Sequence, residues 1–566
     1  MILTNGLAKF VRLIIVLTSI ISVELFAADL LVINADIRTS DPLMLSADAI
    51  AVKDGKFLAV GTSSEILTLK SKNTEIIDAQ GKTVLPGFVD SHTHLNSGSN
   101  MVTGINLAGI AEKSIWLDMI AERVKSMKPG EWLLGGRWDY TLENKGLPNR
   151  WELDQVSPNN PVALMDIDGH SIWINSLAIQ EANIKANSKV SRGGKILIEE
   201  SSGEPNGILL ESARELLWDA PSYVRDSEIS IEKIERVLSY ANSYGITSIH
   251  DMSTLSDLDK YKELAINKKL SVRIFWGEFS KYSQDEDSTN NEELLNQRID
   301  TYKFYDTVRG PLIKFGFIKY MVDGVLSTYT AALVDPYSDR PDFTGDVFYK
   351  QAEINKLVKR ANDFGMPVAI HAIGDRGVQM ALNAFERSGN TALANRIEHV
   401  EIIKPEDIPR FRKLNVTASM QPNHGTGVIG KYITPRVGVE REKYAYVWNE
   451  FLKEGARLVL SSDFATSPFS PLIQLADAVF RESPDGSYEG SWYPEQALTF
   501  EQALHAYTQI GADLAGWGDQ IGSISRGKYA DFVILDRILS KPVGRELKSA
   551  KVDKTYFAGQ LVFSKN

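Results

Sequence analysis

The sequence predicts an α/β fold built round a (β/α)₈ TIM barrel, on three observations. From about residue 230 onward, amphipathic helical stretches that stop at glycine or asparagine alternate with short apolar runs. These runs are almost continuously hydrophobic, as strands buried on both faces of a parallel sheet are. The two ends of the chain differ from the middle and read as alternating strands broken by tight turns. The number of units favours a closed barrel, with an open doubly wound sheet as the second choice. No glycine-rich phosphate loop follows a strand, which lowers a nucleotide-binding version of that sheet.

Taken in order, the chain opens on a targeting pattern. Lys9 and Arg12 precede an apolar stretch over 13–23, and Ala27 and Ala28 offer small residues for cleavage. A signal peptide over 1–27 is expected, and with it export, in all expectation to the periplasm. The stretch is short of the roughly 20 residues that span a bilayer, so no stable membrane insertion is expected after cleavage. DLLVINADIRTSD, AIAVKDGKFLAVG and TEIIDAQGKTVLPG follow, and ISRGKYADFVILD and KTYFAGQLVFSK repeat that style near the C-terminus. Neither end has enough strands to stand alone, so 28–84 and 519–566 are expected to pair into one small β-sandwich domain.

The barrel is expected over 85–518. Helical stretches at 231–244, 353–364, 408–414 and 448–454 stop at Gly245, Gly365, Asn415 and Gly455. ITSIHD, MPVAIHA, VTASMQP and ARLVLSSD follow them in turn. SVRIFW and IKFGFIKYMVDG read as further strands of the same kind. About 100–230 is too long for a barrel loop and reads largely as an insertion near the mouth. It holds EWLLGGRWDY, PVALMDIDGHSIWINS and an expected helix around 209–217.

Composition narrows the chemistry. At 566 residues, with 43% hydrophobic and 24% charged, the chain is ordinary globular material of more than one structural unit. A net charge of −11 leaves no basic surplus for phosphates, so no nucleic-acid partner is expected. There are no cysteines, which excludes disulfides, thiol nucleophiles and thiolate ligands. Any metal must therefore be held by His, Asp, Glu or a modified Lys.

The histidines are few and ordered. In GFVDSHTHL, His92 and His94 flank one threonine where the first barrel strand ends, so both side chains face one way. His371, His250, His399 and Asp463 fall near the ends of later strands, at the edge where barrels of this kind build active sites. Lys319 stands in IKYMVDG. Convergence of these groups on one mouth points to a metal site, where any one of them alone would read as a loop histidine or a capping aspartate.

GFVDSHTHL, IKYMVDG, IHAIGDRG, RIEHVE and SSDFA occur in the order and spacing of the amidohydrolase superfamily. The chain resembles most the branch that includes N-substituted formamide deformylases, over nearly all of its length after the leader. The resemblance implies a distorted barrel with a divalent metal at its mouth, Zn²⁺ being the expected ion. His92, His94, Lys319, His371, His399 and Asp463 are the implied ligands. It also implies that Lys319, if carboxylated, bridges two ions. That needs a neutral amine, which burial among cations favours. The chain departs from the branch just after this lysine. DGVLSTYTAAL stands where a glycine- and serine-richer loop with an arginine is more usual, so Val325 and Tyr329 are expected to reshape the pocket.

A zinc-type ion lowers the pKa of bound water from ~15.7 to ~7, so hydroxide is the expected nucleophile, with Asp463 as catalytic base. The expected activity is hydrolysis of a non-peptide C–N bond in a small-molecule N-acyl or N-formyl amide. Hydrolysis of a lactone, ester or carbamate at the same site is the nearest rival. A silent periplasmic binding or regulatory protein is a rival of another class, and a homodimer is compatible with either. His170, Trp138, Asp323 and Arg376 are the substrate-binding candidates. Asp375 with Arg376 reads equally as a ligand-orienting pair or a surface pair, and Trp173 as pocket wall or core. His250 is a candidate for the pocket or the layer beneath it, His424 for the mouth beyond strand seven, and His505 for a structural role.

Overall fold

The computed structural model describes residues 27–139, 147–167, 169–191, 193–279, 311–482 and 490–565. The expected signal peptide, apart from Ala27, lies outside them.

Eight parallel strands form the central sheet: β1 (Phe88–Thr93), β2 (Ile246–Ser253), β3 (Arg273–Phe279), β4 (Ile313–Met321), β5 (Val368–Ala372), β6 (Arg396–His399), β7 (Thr417–Met420) and β8 (Leu458–Leu460). Each pairs with the next in chain order, from β1 to β8. The sheet is nearly closed into a barrel. Its seam is a parallel bridge from Thr93 to Phe464, with Asp463 N–H donating to the His92 carbonyl at 2.9 Å. Register gathers the polar residues at one edge: Lys319 stands beside Phe279, His371 beside Met321 and His399 beside Ala372.

The helices that separate the strands end where their sequence ends them. Ile231–Ser243 closes before Gly245 (φ +80°), and Gln351–Asp363 closes before Gly365 (φ +79°). Ile408–Leu414 ends at Asn415 (φ +54°), a side chain that tolerates the left-handed conformation better than most. Their buried faces, among them Ile234, Val237, Ile354, Val358 and Phe411, join the outer faces of the barrel strands in one core.

Strands from both chain ends share a sheet. Thr83–Pro86 lies between Asp36–Asp41 and the C-terminal strand Phe532–Leu535, which continues to Val552–Phe557 and Gln560–Ser564. A second, four-stranded sheet is wholly N-terminal. Leu30, Val32, Ile37, Phe57, Phe532 and Tyr556 pack in one cluster there, with the last two rings stacked at 4.4 Å.

The insertion has its own six-stranded sheet and cores. The helix expected around 209–217 is a 3₁₀ helix over Glu211–Asp219, and the first two residues of that stretch end the strand Pro205–Leu210. Leu209 and Ile208 pair with Ile172 and Trp173 in that sheet, and a short apolar run does not by itself tell strand from helix.

Candidate metal centre

β1 delivers His92 directly, and His94 stands two residues on at the N-terminus of the helix Leu95–Thr103. Their Nε2 atoms lie 3.4 and 3.2 Å from Asp463 Oδ1. Asp463 comes from the loop after β8, with φ +59°, and His399 closes β6 with φ +75°. Non-glycine residues rarely hold such angles, at a cost of order 1–3 kcal/mol each, and they cluster where function requires them. His399 Nδ1 lies 2.8 Å from Gln421 Oε1 and 4.0 Å from Asp463 Oδ2. Gln421 Nε2 donates to Ser461 Oγ at 2.9 Å, which fixes the amide with its oxygen towards the imidazole.

His424, on the short helix Pro422–Thr426 after β7, completes the cluster. Its Nε2 lies 3.6 Å from Asp463 Oδ2, and its Nδ1 lies 3.3 Å from Glu401 Oε1. His92, His94 and Asp463 form one group of donors within 4.8 Å of one another. His399, His424 and Asp463 form a second, so the aspartate is shared.

The donor set suits a divalent cation. His424 Nε2 and Asp463 Oδ1 are buried without a hydrogen bond, so each keeps a lone pair that an ion would satisfy. Burial first, and then neighbouring positive groups, hold His92, His371 and His399 well below the ordinary imidazole pKa, so they are neutral. Burial works to raise Asp463, but His92, His94 and His424 outweigh it and keep the carboxylate ionised. Neutral imidazole and ionised carboxylate are the forms that bind metal.

The other expected ligands lie alongside. Lys319 is 2% exposed on β4, with Nζ 3.4 Å from His92 Nε2. Burial pushes its ammonium down to about 8, against the pull of Glu398 and Asp463. The ring of His371 is 4.5 Å from that of His399. Its Nε2–H donates to the Gly324 carbonyl at 3.1 Å, which leaves Nδ1 as the atom able to ligate.

A second layer fixes the first. His92 Nδ1–H donates to Glu398 Oε2 at 2.6 Å, which turns the Nε2 lone pair to the site. Glu398 Oε1 in turn lies 2.6 Å from Arg396 Nε, and Arg396 meets His250 Nδ1 at 2.9 Å. His250 is thus buried beneath the site and not in its wall. Glu398, Glu401 and Gln421 escaped the sequence reading, although each adjoins a motif already singled out. His424 was read only as a mouth residue.

The substrate-binding candidates separate. His170 lines a narrow cleft of about 20 Å³ with His371, His399, His424 and Asp463. Its Nδ1 lies 2.8 Å from Glu211 Oε2. A larger open depression of about 510 Å³, lined by Asn183, Lys189 and Asp219 on the insertion, contains none of the histidines. Trp138 is not a pocket wall. It is fully buried in the insertion core, with Nε1–H on the Leu164 carbonyl and an edge contact to Trp173, because a large ring in that sheet finds apolar neighbours on its inner face. Arg376 is exposed on the first turn of the helix Asp375–Ser388 and does not line that cleft. Its neighbour Asp375 accepts Val334 N–H at 2.8 Å and lies 3.7 Å from Lys404.

Asp323 is fully buried and accepts the backbone N–H groups of Ala332, Ile373 and Gly374. Burial still pushes its carboxyl up to about 7. It anchors the loop after β4, and its committed oxygens leave it no face for a substrate. His505 touches Ser40 on the terminal β layer, a structural place.

Residues 75–563 match the model of the amidohydrolase family. The chain belongs to that family. This amidohydrolase is 31% identical to the protein LONG AFTER FAR-RED 3 of Arabidopsis thaliana, over 95% of this chain and 92% of that one. It is 29% identical to an N-substituted formamide deformylase of Arthrobacter pascens, over 95% and 98%. Among solved structures it resembles an uncharacterized metal-dependent hydrolase from Pyrococcus horikoshii OT3, with a TM-score of 0.70 and 27% identity. That match covers 91% of this chain and 99% of the other. The amidohydrolase fold and the convergent donor set agree: this is a metal-dependent hydrolase.

Proposed function

We propose that this amidohydrolase is an exported enzyme that hydrolyses a non-peptide C–N bond, in an N-acyl or N-formyl amide, with Zn²⁺ at the barrel mouth. The observation that carries the reading is the pair of donor groups sharing Asp463 beside a cleft. The likeness to a formamide deformylase over nearly the whole chain supports the choice of bond. The basic, then apolar, then small-residue pattern of the leader supports export.

His92, His94, His399, His424 and Asp463 would hold the metal, with His371 and Lys319 beside them. A bound divalent ion supplies Lewis acidity, polarising a carbonyl and bringing the pKa of water near neutrality. The chain's own part is orientation and proton movement. Glu398 and Gln421 hold His92 and His399 in one orientation. Asp463, kept ionised by its histidines, takes the proton of the attacking water and passes it to the leaving nitrogen, giving a carboxylic acid and an amine. Burial lowers the Lys319 ammonium to about 8, which raises the share of neutral amine able to add to CO₂ and lose a proton, and the resulting carbamate would offer oxygens to a divalent ion.

The test is a metal-quantified preparation screened against matched N-formyl amides, N-acyl amides, cyclic amides and lactones. Cleavage of the open-chain amides is expected. Turnover of lactones alone would move the assignment to ester chemistry, and bound metal with no turnover would overturn the enzyme reading.

A further inference from the structure

His424 and Asp463 reach the metal centre from separate loops, after β7 and after β8, yet Nε2 and Oδ2 stand 3.6 Å apart. The turn that carries Asp463 is held from behind. Ser467 N–H donates to the Asp463 carbonyl at 3.3 Å, and the Ser467 hydroxyl donates to the Ser462 carbonyl. Ser467 thus grips both the aspartate and the residue before it, where Asp463 takes its φ of +59°.

Gln474 joins this turn to the other loop. It lies fully buried on the helix Pro471–Phe480. Its Oε1 accepts the N–H of Asn423, the residue before His424, at 3.0 Å. Its Nε2 donates to Ser467 Oγ at 3.0 Å and to the Pro468 carbonyl at 3.3 Å. A backbone N–H can only donate, so the amide has one orientation, with its oxygen to the β7 loop and its nitrogen to the β8 loop. An apolar side chain of the same length would fill the space and tie neither loop.

We propose that Gln474 is a positioning residue for the metal centre. It ties the His424 loop to the Asp463 loop and so sets the spacing of the donor group His399, His424 and Asp463. This inference rests on His424 and Asp463 holding an ion, and it is independent of which bond is cleaved. Ligands must be held to within about 0.5 Å of their productive places, so loosened loops cost affinity even where the fold survives. Ser467 is the intermediary on the Asp463 side.

The test measures Zn²⁺ affinity of the full chain by chelator competition, with urea unfolding of the metal-free protein alongside. The variants are Gln474→Met, Ser467→Ala and the two combined. Methionine is unbranched and close to glutamine in length, and it removes both ties. Gln474→Met is expected to weaken Zn²⁺ binding roughly 10–100-fold, and Ser467→Ala to weaken it less. The combined loss should fall short of the product of the two, because the residues share one contact. A core amide with no part in the site would lower the urea midpoint and leave Zn²⁺ affinity of the folded protein unchanged, and that result would overturn the inference. Fully independent losses in the double variant would do the same. If Gln474→Met does not fold, Ser467→Ala carries the test, and unchanged affinity there overturns the inference as well. Weakened Zn²⁺ binding in the variants, with no amide turnover by the wild type, would support the positioning role and count against the amide reading. A wild type without Zn²⁺ affinity would overturn the metal assignment and this inference together.

Discussion

Two buried arginine–carboxylate pairs, each with its arginine at the start of a barrel strand, do different things. Arg273, at the start of β3, donates to both oxygens of Asp531 at 2.9 and 3.0 Å and to the Pro311 carbonyl at 2.7 Å. Tyr529 and Phe557 lie within 4.7 Å of its guanidinium, so the pair closes on itself and joins the barrel to the terminal β layer. Arg396 faces Glu398 in the barrel interior, but Glu398 gives its other oxygen to His92. The first pair is complete, and the second is a relay to a metal ligand. A buried ion pair therefore tells little about its role until the second oxygen of the acid is followed.

The sharpest way to break this comparison is at the end of the relay. Asp463→Asn should leave the fold intact and cut turnover by roughly 10²–10⁴-fold. Steady-state kinetics with metal analysis checks it, and unchanged turnover would remove Asp463 as base. The complete pair should answer in stability instead. Asp531→Asn strands a buried cation and should cost about 3–5 kcal/mol in urea unfolding, with metal content per folded molecule unchanged.

Glu398→Gln should do the reverse. It keeps a hydrogen-bonding side chain beside Arg396 but weakens the hold on His92, so metal affinity should fall about 10–100-fold in chelator competition, with a smaller change in unfolding. Equal metal affinity in wild type and Glu398→Gln would reduce the interior pair to a structural one.

The smallest expected effect lies outside both networks. Burial raises Asp477 to about 6, even with Asn423 donating at 2.7 Å. The native state then binds more protons than the unfolded chain between about pH 4 and 6, so this group's contribution to stability falls as pH rises through that window. Asp477→Asn should flatten that part of the urea midpoint against pH curve and leave metal affinity alone.

Much of the fold was legible because its signals are local. Helix stops at Gly245, Gly365 and Asn415 and the apolar runs after them are patterns of a few residues, and β2, β5 and β7 follow them. The helix expected around 209–217 is present from Glu211 but begins two residues later, since pairing with the strand of Ile172 and Trp173 keeps Leu209 and Leu210 in a strand. In the site, His92, His94, His399 and Asp463 were legible from their places at strand ends. Trp138 was misplaced because an aromatic beside a motif gives no sign of which face of its sheet it occupies. Arg376 was misplaced because one step along a helix turns a side chain from the site to solvent.

The sequence by itself determined the order of strands and helices, the absence of thiolate chemistry and the small stock of histidines placed at strand ends. Those properties depend on residue type and short-range periodicity. Only the tertiary structure decided that His424 joins Asp463 and that Glu398 steers His92 from 306 positions away. The physical reason is that hydrogen bonds and ion pairs act over a few ångströms in space, and the barrel brings together side chains that lie far apart along the chain.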